Sequence, residues 1–199
     1  MEPHESGVNA ESPTTAPSTP KEGNFFVETL KFAFFAAIIV LPIRYFVAQP
    51  FIVSGESMVP TFENGEYLIV DELTYRFAQP ERGDVIIFRY PLQPSKFFIK
   101  RIVGLPGESL HIEGNKITVT DPTTKKSFVL DEPYIKSERD DIVDVTLTND
   151  QYYVLGDNRA ESSDSRVWGP LPKKNIIGRP VVRLLPLSQI KVLPGAENQ

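Results

Sequence analysis

The chain has 199 residues, room for one domain or a domain with a small lobe. Its net charge of −5 argues against a nucleic-acid binder, which carries a basic face. With no cysteine and only two histidines, His4 and His111, it excludes disulfides, thiolate catalysis, cysteine-ligated zinc and any multi-histidine metal site.

Residues 1–22, MEPHESGVNAESPTTAPSTPKE, are rich in Pro, Ser, Thr and Glu and almost free of bulky apolar groups. Such a segment cannot bury enough surface to offset its ordering entropy, so it reads as a disordered tail. The composition then changes abruptly to LKFAFFAAIIVLPIRYFVA, residues 30–48. A bilayer core about 30 Å thick needs roughly 20 helical residues. The uninterrupted apolar run Phe32–Ile43 is shorter, but Lys31 and Arg44 extend it by snorkelling. The alternative is a buried core helix. Having no polar face and following a disordered tail, residues 23–50 read as a transmembrane anchor with its flanks. No small-x-small pattern follows the run, so the segment is expected to be retained rather than cleaved. Lys21 and Lys31 precede it, and after Arg44 no Lys or Arg occurs until Arg76. This bias predicts a cytoplasmic N-terminus and everything after about residue 50 on the far side.

Beyond Phe51 come EYLIVDE, DVIIFRY, FFIKRIV, SLHIEG, NKITVT, KSFVL, IVDVTLT, QYYVL and PVVRLL. Each is rich in β-branched and aromatic residues, and Gly, Pro, Asn and Asp separate them. With no sustained 3.6-residue period, the predicted class is mostly β, an antiparallel sheet domain tethered by one N-terminal transmembrane helix. His111 falls in a predicted hairpin and reads as structural.

Three stretches hold candidate chemistry. In SGESMVPTF, residues 54–62, Pro60 stiffens the corner after Ser57, which is either a loop residue or a nucleophile. If it is activated, something other than histidine does it. In FFIKRIV, residues 97–103, Lys100 and Arg101 point to opposite faces, each with apolar neighbours. Lys100 either snorkels at a sheet edge or is desolvated. Lowering its pKa by about 2.5 from 10.4 costs on the order of 3.4 kcal/mol and leaves an amine able to accept a hydroxyl proton. GDNRAESSDSRVWGPLP, residues 156–172, alternates Asp157, Arg159, Asp164 and Arg166, and reads either as a surface loop or as a site element.

Taken in order, RYFVAQPFIVSGESMVPT, ERGDVIIF, FIKRIVGLPGE and GDNRAESSDSRVWG resemble the four boxes of the bacterial type I signal peptidases. The resemblance implies a serine–lysine dyad with Ser57 as nucleophile and Lys100 as general base. It implies that Ser162 hydrogen-bonds and orients the lysine amine, with Asp164–Arg166 and Asp157–Arg101 as supporting pairs. The Ser57 backbone N–H is the implied oxyanion donor; Gly55 stands where some members place a second, hydroxyl donor, and Ala160 where many have an acidic residue. The implied domains are a catalytic β domain, 51–108 and 152–190, a small inserted β lobe, 109–151, and a tail, 191–199.

The implied reaction is removal of signal peptides from exported preproteins through an acyl-enzyme, after small residues of the Ala-x-Ala type. Ile52, Met58, Phe98 and Ile99 are the candidate pocket residues. The expected partners are signal peptides and the lipid bilayer of the bacterial cytoplasmic membrane, with no metal, nucleotide or other cofactor and no nucleic acid. The alternatives are a specialised peptidase of the same fold serving one dedicated exported protein, and a catalytically inactive membrane-tethered β-rich binding protein.

Overall fold

The computed structural model describes residues 25–46, 48–137 and 139–196; at 42–46 and 48 it describes the backbone alone. The expected disordered tail, residues 1–22, lies outside the described residues. The chain divides into two compact units, residues 1–39 and 40–199.

In the first unit the apolar run forms a helix, α1 (Phe25–Phe46), which continues past the division. Phe25, Phe26, Leu30, Phe32, Phe34, Phe35, Ile38 and Ile39 are each more than half exposed, so its apolar surface extends all round. Among the described residues no helix is long and apolar enough to cross a membrane. The stretch with described side chains, Phe25–Leu41, reaches roughly 26 Å at 1.5 Å per residue, against a hydrocarbon core of about 30 Å.

The second unit is built from short antiparallel strands. In chain order they and the helices are β1 (Ala48–Ile52), β2 (Tyr67–Asp71), α2 (Thr74–Phe77), β3 (Val85–Arg89), β4 (Phe97–Gly104), β5 (Ser109–Glu113), β6 (Lys116–Thr120), β7 (Ser127–Val129), β8 (Ile142–Thr146), β9 (Gln151–Leu155), α3 (Ser165–Trp168), β10 (Leu171–Pro172), β11 (Ile176–Leu185) and β12 (Lys191–Val192). An eight-stranded sheet runs β1-β2-β11-β3-β4-β9-β10, with β12 added beside β11. Residues 109–146 form a separate four-stranded sheet, β7-β6-β5-β8.

Alternation along β3, β4 and β9 distributes the core over three clusters. Ile86, Phe88, Ile102, Tyr152 and Val154 share one with Leu171. Val103, Tyr153 and Leu155 meet Leu110, Ile112, Ile117 and Val119 of the small sheet. Val53, Met58 and Phe62 of the loop after β1 pack on Leu68 and Val85. That last cluster fixes the Ser57 corner against the large sheet. The predicted strands from EYLIVDE to PVVRLL all form. The sequence reading missed β10, β12 and the helices α2 and α3, because two-residue bridges and single helical turns are too short to display any period, and it missed β1 because that strand begins within the stretch read as the flank of the anchor.

Candidate active site

The loop bearing Ser57 is closed at its base by two backbone bonds, Val53 N–H to Glu66 O and Gly65 N–H to Val53 O, both 2.9 Å. Within it Phe62 N–H bonds Met58 O at 2.9 Å, and Met58 and Phe62 are buried, which turns both side chains inward. Asn158 holds it from outside: its N–H donates to Ser57 O at 3.0 Å and its Nδ2 to Glu56 O at 3.2 Å. Ser57 thus sits on a corner pinned at both ends and across its middle.

Lys100 lies on β4, between β3 and β9, with Ile86 opposite it. A central strand offers no edge from which to snorkel, and Lys100 is 4% exposed. Its Nζ donates to Ser57 Oγ at 2.6 Å and to Ile99 O at 2.9 Å, and stands 5.3 Å from the centre of the Phe98 ring. Burial pushes the amine down to about 8, against the opposing pull of the Asp164 and Asp157 carboxylates. Desolvation therefore outweighs the two charges, whose own partners largely neutralise them. An amine so placed, once neutral, can take the proton of the adjacent hydroxyl.

Both expected ion pairs form. Arg101 Nε and Nη2 bind the two oxygens of Asp157 at 2.9 and 2.7 Å, with both side chains 1% exposed. Arg166 Nε and Nη2 bind Asp164 at 2.8 and 2.7 Å. Hydrogen bonds from Arg166 and the Gly156 N–H hold the Asp164 carboxyl below the usual carboxylate range despite its burial. Asp164 also caps α3, accepting from Arg166 N–H.

Two expectations need correction. The resemblance implies a bond from Ser162 to the lysine amine; among the described residues none joins them, and the Nζ bonds are those to Ser57 and Ile99. Ser162 is buried, its Oγ makes no hydrogen bond of full geometry, and it lies near enough to Asp164 to help keep that carboxyl ionised. It sits against Gly156, where a Cβ would fall 2.3 Å from Ser162 Oγ and 2.4 Å from Ser57 O. Only glycine permits that approach of the last loop to the Ser57 corner. Met58, taken as a pocket residue, faces the core instead, because the Phe62–Met58 turn directs it inward.

Beside Ser57 and Lys100 opens a cleft of about 440 Å³, lined among others by Ile52, Ser54, Phe97, Phe98 and Ile99. Three of the four expected pocket residues are among its walls. Phe51 meets Phe97 edge-on at 5.4 Å at its margin. Gly55 N–H is taken by Asn64 Oδ1 at 3.0 Å, while Ser54 lines the cleft. His111 lies on β5 and bonds Asp144 on β8 at 2.7 Å. Among the described residues no group of three His, Asp or Glu side chains is arranged to hold a metal ion.

The sequence reading missed the acids that hold the last loop from the small sheet's side. Glu132 takes Arg159 Nη2 at 2.7 Å and the Tyr134 hydroxyl at 2.7 Å, and Asp141 takes Arg166 Nη1 at 3.1 Å. These acids lie in a stretch with no motif, and only their arginines were visible. Thr61 lies in the stretch around Ser57, yet nothing local shows that its hydroxyl reaches Asp157, 96 positions on, at 2.5 Å.

Residues 26–185 match the family described as signal peptidase, peptidase S26. The chain is 35% identical over 183 residues to a signal peptidase I of Leptolyngbya laminosa, spanning 88% of this chain and 87% of that one. It is 36% identical over 174 residues to a probable thylakoidal processing peptidase 2 of Arabidopsis thaliana, spanning 84% of this chain and 46% of that one. A solved signal peptidase I from Enterococcus faecalis V583 aligns with 51% of this chain and 97% of its own, at 25% identity and a TM-score of 0.43.

Proposed function

This chain belongs to the signal peptidase family, peptidase S26, and is a serine peptidase; we propose that it removes signal peptides from exported preproteins with Ser57 as nucleophile and Lys100 as general base. The observation behind this reading is the buried amine of Lys100, 2.6 Å from Ser57 Oγ and neutral above about pH 8. Neutral Lys100 takes the Ser57 proton as Oγ bonds to the scissile carbonyl carbon. The C–N bond then breaks, the proton leaves with the new amino terminus, and an ester joins the signal peptide to Ser57. Lys100 next takes a proton from water as its oxygen bonds to the ester carbonyl carbon; the ester C–O bond breaks, Lys100 returns the proton to Ser57 Oγ, and the signal peptide leaves with its new carboxyl group.

The Ser57 N–H, with Ser54 at the cleft wall, supplies the oxyanion site. The apolar wall that Ile52, Phe98 and Ile99 give the cleft favours small residues before the cut. Ser162 and the pairs Asp157–Arg101 and Asp164–Arg166 keep the two loops and β4 in register. The residues 51–108 and 152–190 form the catalytic domain and 109–151 its inserted lobe. α1, apolar on all its described sides, is the single anchor in the bacterial cytoplasmic membrane, with the N-terminus cytoplasmic and the catalytic domain outside. It raises the local concentration of membrane-borne substrate.

Incubating purified chain in detergent with a preprotein carrying an Ala-x-Ala site tests the reading. Wild type is expected to cleave it, and Ser57→Ala and Lys100→Ala to leave it intact while retaining native circular dichroism. Full cleavage by either variant removes its dyad assignment. The likeness to a relative named as a processing peptidase of thylakoids favours a second reading, service to one dedicated exported protein. Under that reading the generic preprotein stays uncut and the dedicated one is cut.

A further inference from the structure

Arg101 is the point beside Lys100 at which distant segments converge. Besides Asp157, its Nη1 donates to Gly83 O at 2.9 Å and to Gly195 O at 2.8 Å, and its Cζ stands 4.1 Å from the centre of the Tyr134 ring. Asp157 receives the Thr61 hydroxyl, four residues along the corner from Ser57. A path therefore runs from Gly195 through Arg101 and Asp157 to the nucleophile loop, and one residue along β4 to Lys100.

Gly195 lies beyond the stretch matched by the family, which ends at residue 185. Nothing about PGA at positions 194–196 marks it in the sequence, yet Pro194 and Gly195 are buried. The approach is held by β12 pairing with β11 and by Leu193 N–H on Val181 O at 2.8 Å. Gly195 has φ +85°, and a Cβ there would stand 2.9 Å from both Phe62 Cε2 and Val85 Cγ2. Both the left-handed backbone and the missing side chain are needed for its carbonyl to reach Arg101. Phe62 belongs to the Ser57 corner, so the turn touches that corner both by packing and through the arginine. A buried guanidinium deprived of one acceptor must find another or shift, and here any shift moves Asp157 and the strand bearing Lys100.

We propose that Gly195 is a positioning residue for peptide-bond hydrolysis, its carbonyl locking Arg101 so that the Ser57 corner and Lys100 keep their hydrogen-bond distance. The inference rests on the dyad reading above. It makes the turn Leu193–Ala196 a working part of the site rather than a trailing end.

The test compares chains ending after Ala196 and after Leu193, and Gly195→Ala in the full chain, by steady-state cleavage of the preprotein. The chain ending after Ala196 is expected to match wild type. The chain ending after Leu193 is expected to lose kcat by at least about tenfold with KM changed less than about twofold, since misplacement of reacting groups lowers turnover. Gly195→Ala is expected to follow the same split, and it supplies the readout should the shortened chain fail to fold. If Gly195 acts through Arg101, ending the chain after Leu193 in an Arg101→Lys background costs less than about twofold more, because the two changes break one linkage. Unchanged kcat, a loss carried by KM, or full multiplication of the two losses overturns the proposal. Lys100→Ala run alongside separates the readings: if it cleaves fully, the dyad is wrong, whereas if it is inactive and the shortened chain is unimpaired, only the role of Gly195 is wrong.

Discussion

Replacing Lys100 by methionine is expected to abolish cleavage and stabilise the fold. Lys100 has an ordinary pKa of 10.5 and is pushed down to about 8 by burial. Between those values the unfolded chain holds more protons than the folded one, so wild-type stability rises with pH there. At pH 7 the whole difference opposes folding, about 3.4 kcal/mol at 1.36 kcal/mol per pH unit. At pH 9.5 the opposing contribution has fallen to about 1.4 kcal/mol, so the amine alone makes the wild type about 2 kcal/mol more stable at pH 9.5 than at pH 7. Methionine fills similar volume without charge but gives up the bonds to Ser57 and Ile99, each worth roughly 1 kcal/mol. Lys100→Met is therefore expected to exceed wild type by about 1–2 kcal/mol at pH 7, or a few degrees in Tm for a chain of this size. Urea unfolding of both proteins at pH 7 and 9.5 measures it. Every other titrating group is common to both, so the difference in pH slope isolates the amine. Parallel pH dependences, or a Lys100→Met variant weaker at pH 7 and not at 9.5, would refute a desolvated lysine.

The rate of preprotein cleavage is expected to climb about tenfold between pH 7 and 9 with a midpoint near 8, as the amine loses its proton; a midpoint near 10 in a pH–kcat/KM series contradicts this. Gly156→Ala is expected to lower kcat by about a hundredfold, since its Cβ displaces Ser162 and the Ser57 carbonyl; near-wild-type turnover would mean that the close approach is dispensable. Asp157→Ala leaves Arg101 buried without its carboxylate and is expected to cost about 3–5 kcal/mol in urea unfolding; a loss below 1 kcal/mol would show that water replaces the pair. Full-length chain expressed in bacteria is expected to resist alkaline carbonate extraction from membranes, and its release would remove the anchor proposed for α1.

The sequence by itself determined the β character of residues 51–190, because alternation and turn residues act locally and each strand declares itself over five or so positions. It also set out the chemical inventory: with no cysteine and His111 in a hairpin, a basic group other than histidine had to be sought for Ser57. Whether Lys100 was a snorkelling edge residue or a buried amine stayed open, since strand order is invisible to a local pattern; only placement of β4 between β3 and β9 removes the edge. The hydroxyl that its amine meets is 43 positions away, and the two carboxylates that oppose the effect of burial on its pKa, Asp157 and Asp164, are likewise distant in sequence. The inward direction of Met58 is not legible in the sequence, because the direction of a side chain in a loop depends on the turn, here Phe62 N–H to Met58 O. Glu132, Asp141, Thr61 and Gly195 carry no local signal at all. Glu132 and Asp141 meet their arginines only when the small sheet's flank lies against the last loop, and Thr61 and Gly195 meet Asp157 and Arg101 only when distant segments around the large sheet are brought together, as in the hydrogen bond that spans 94 residues between Arg101 and Gly195.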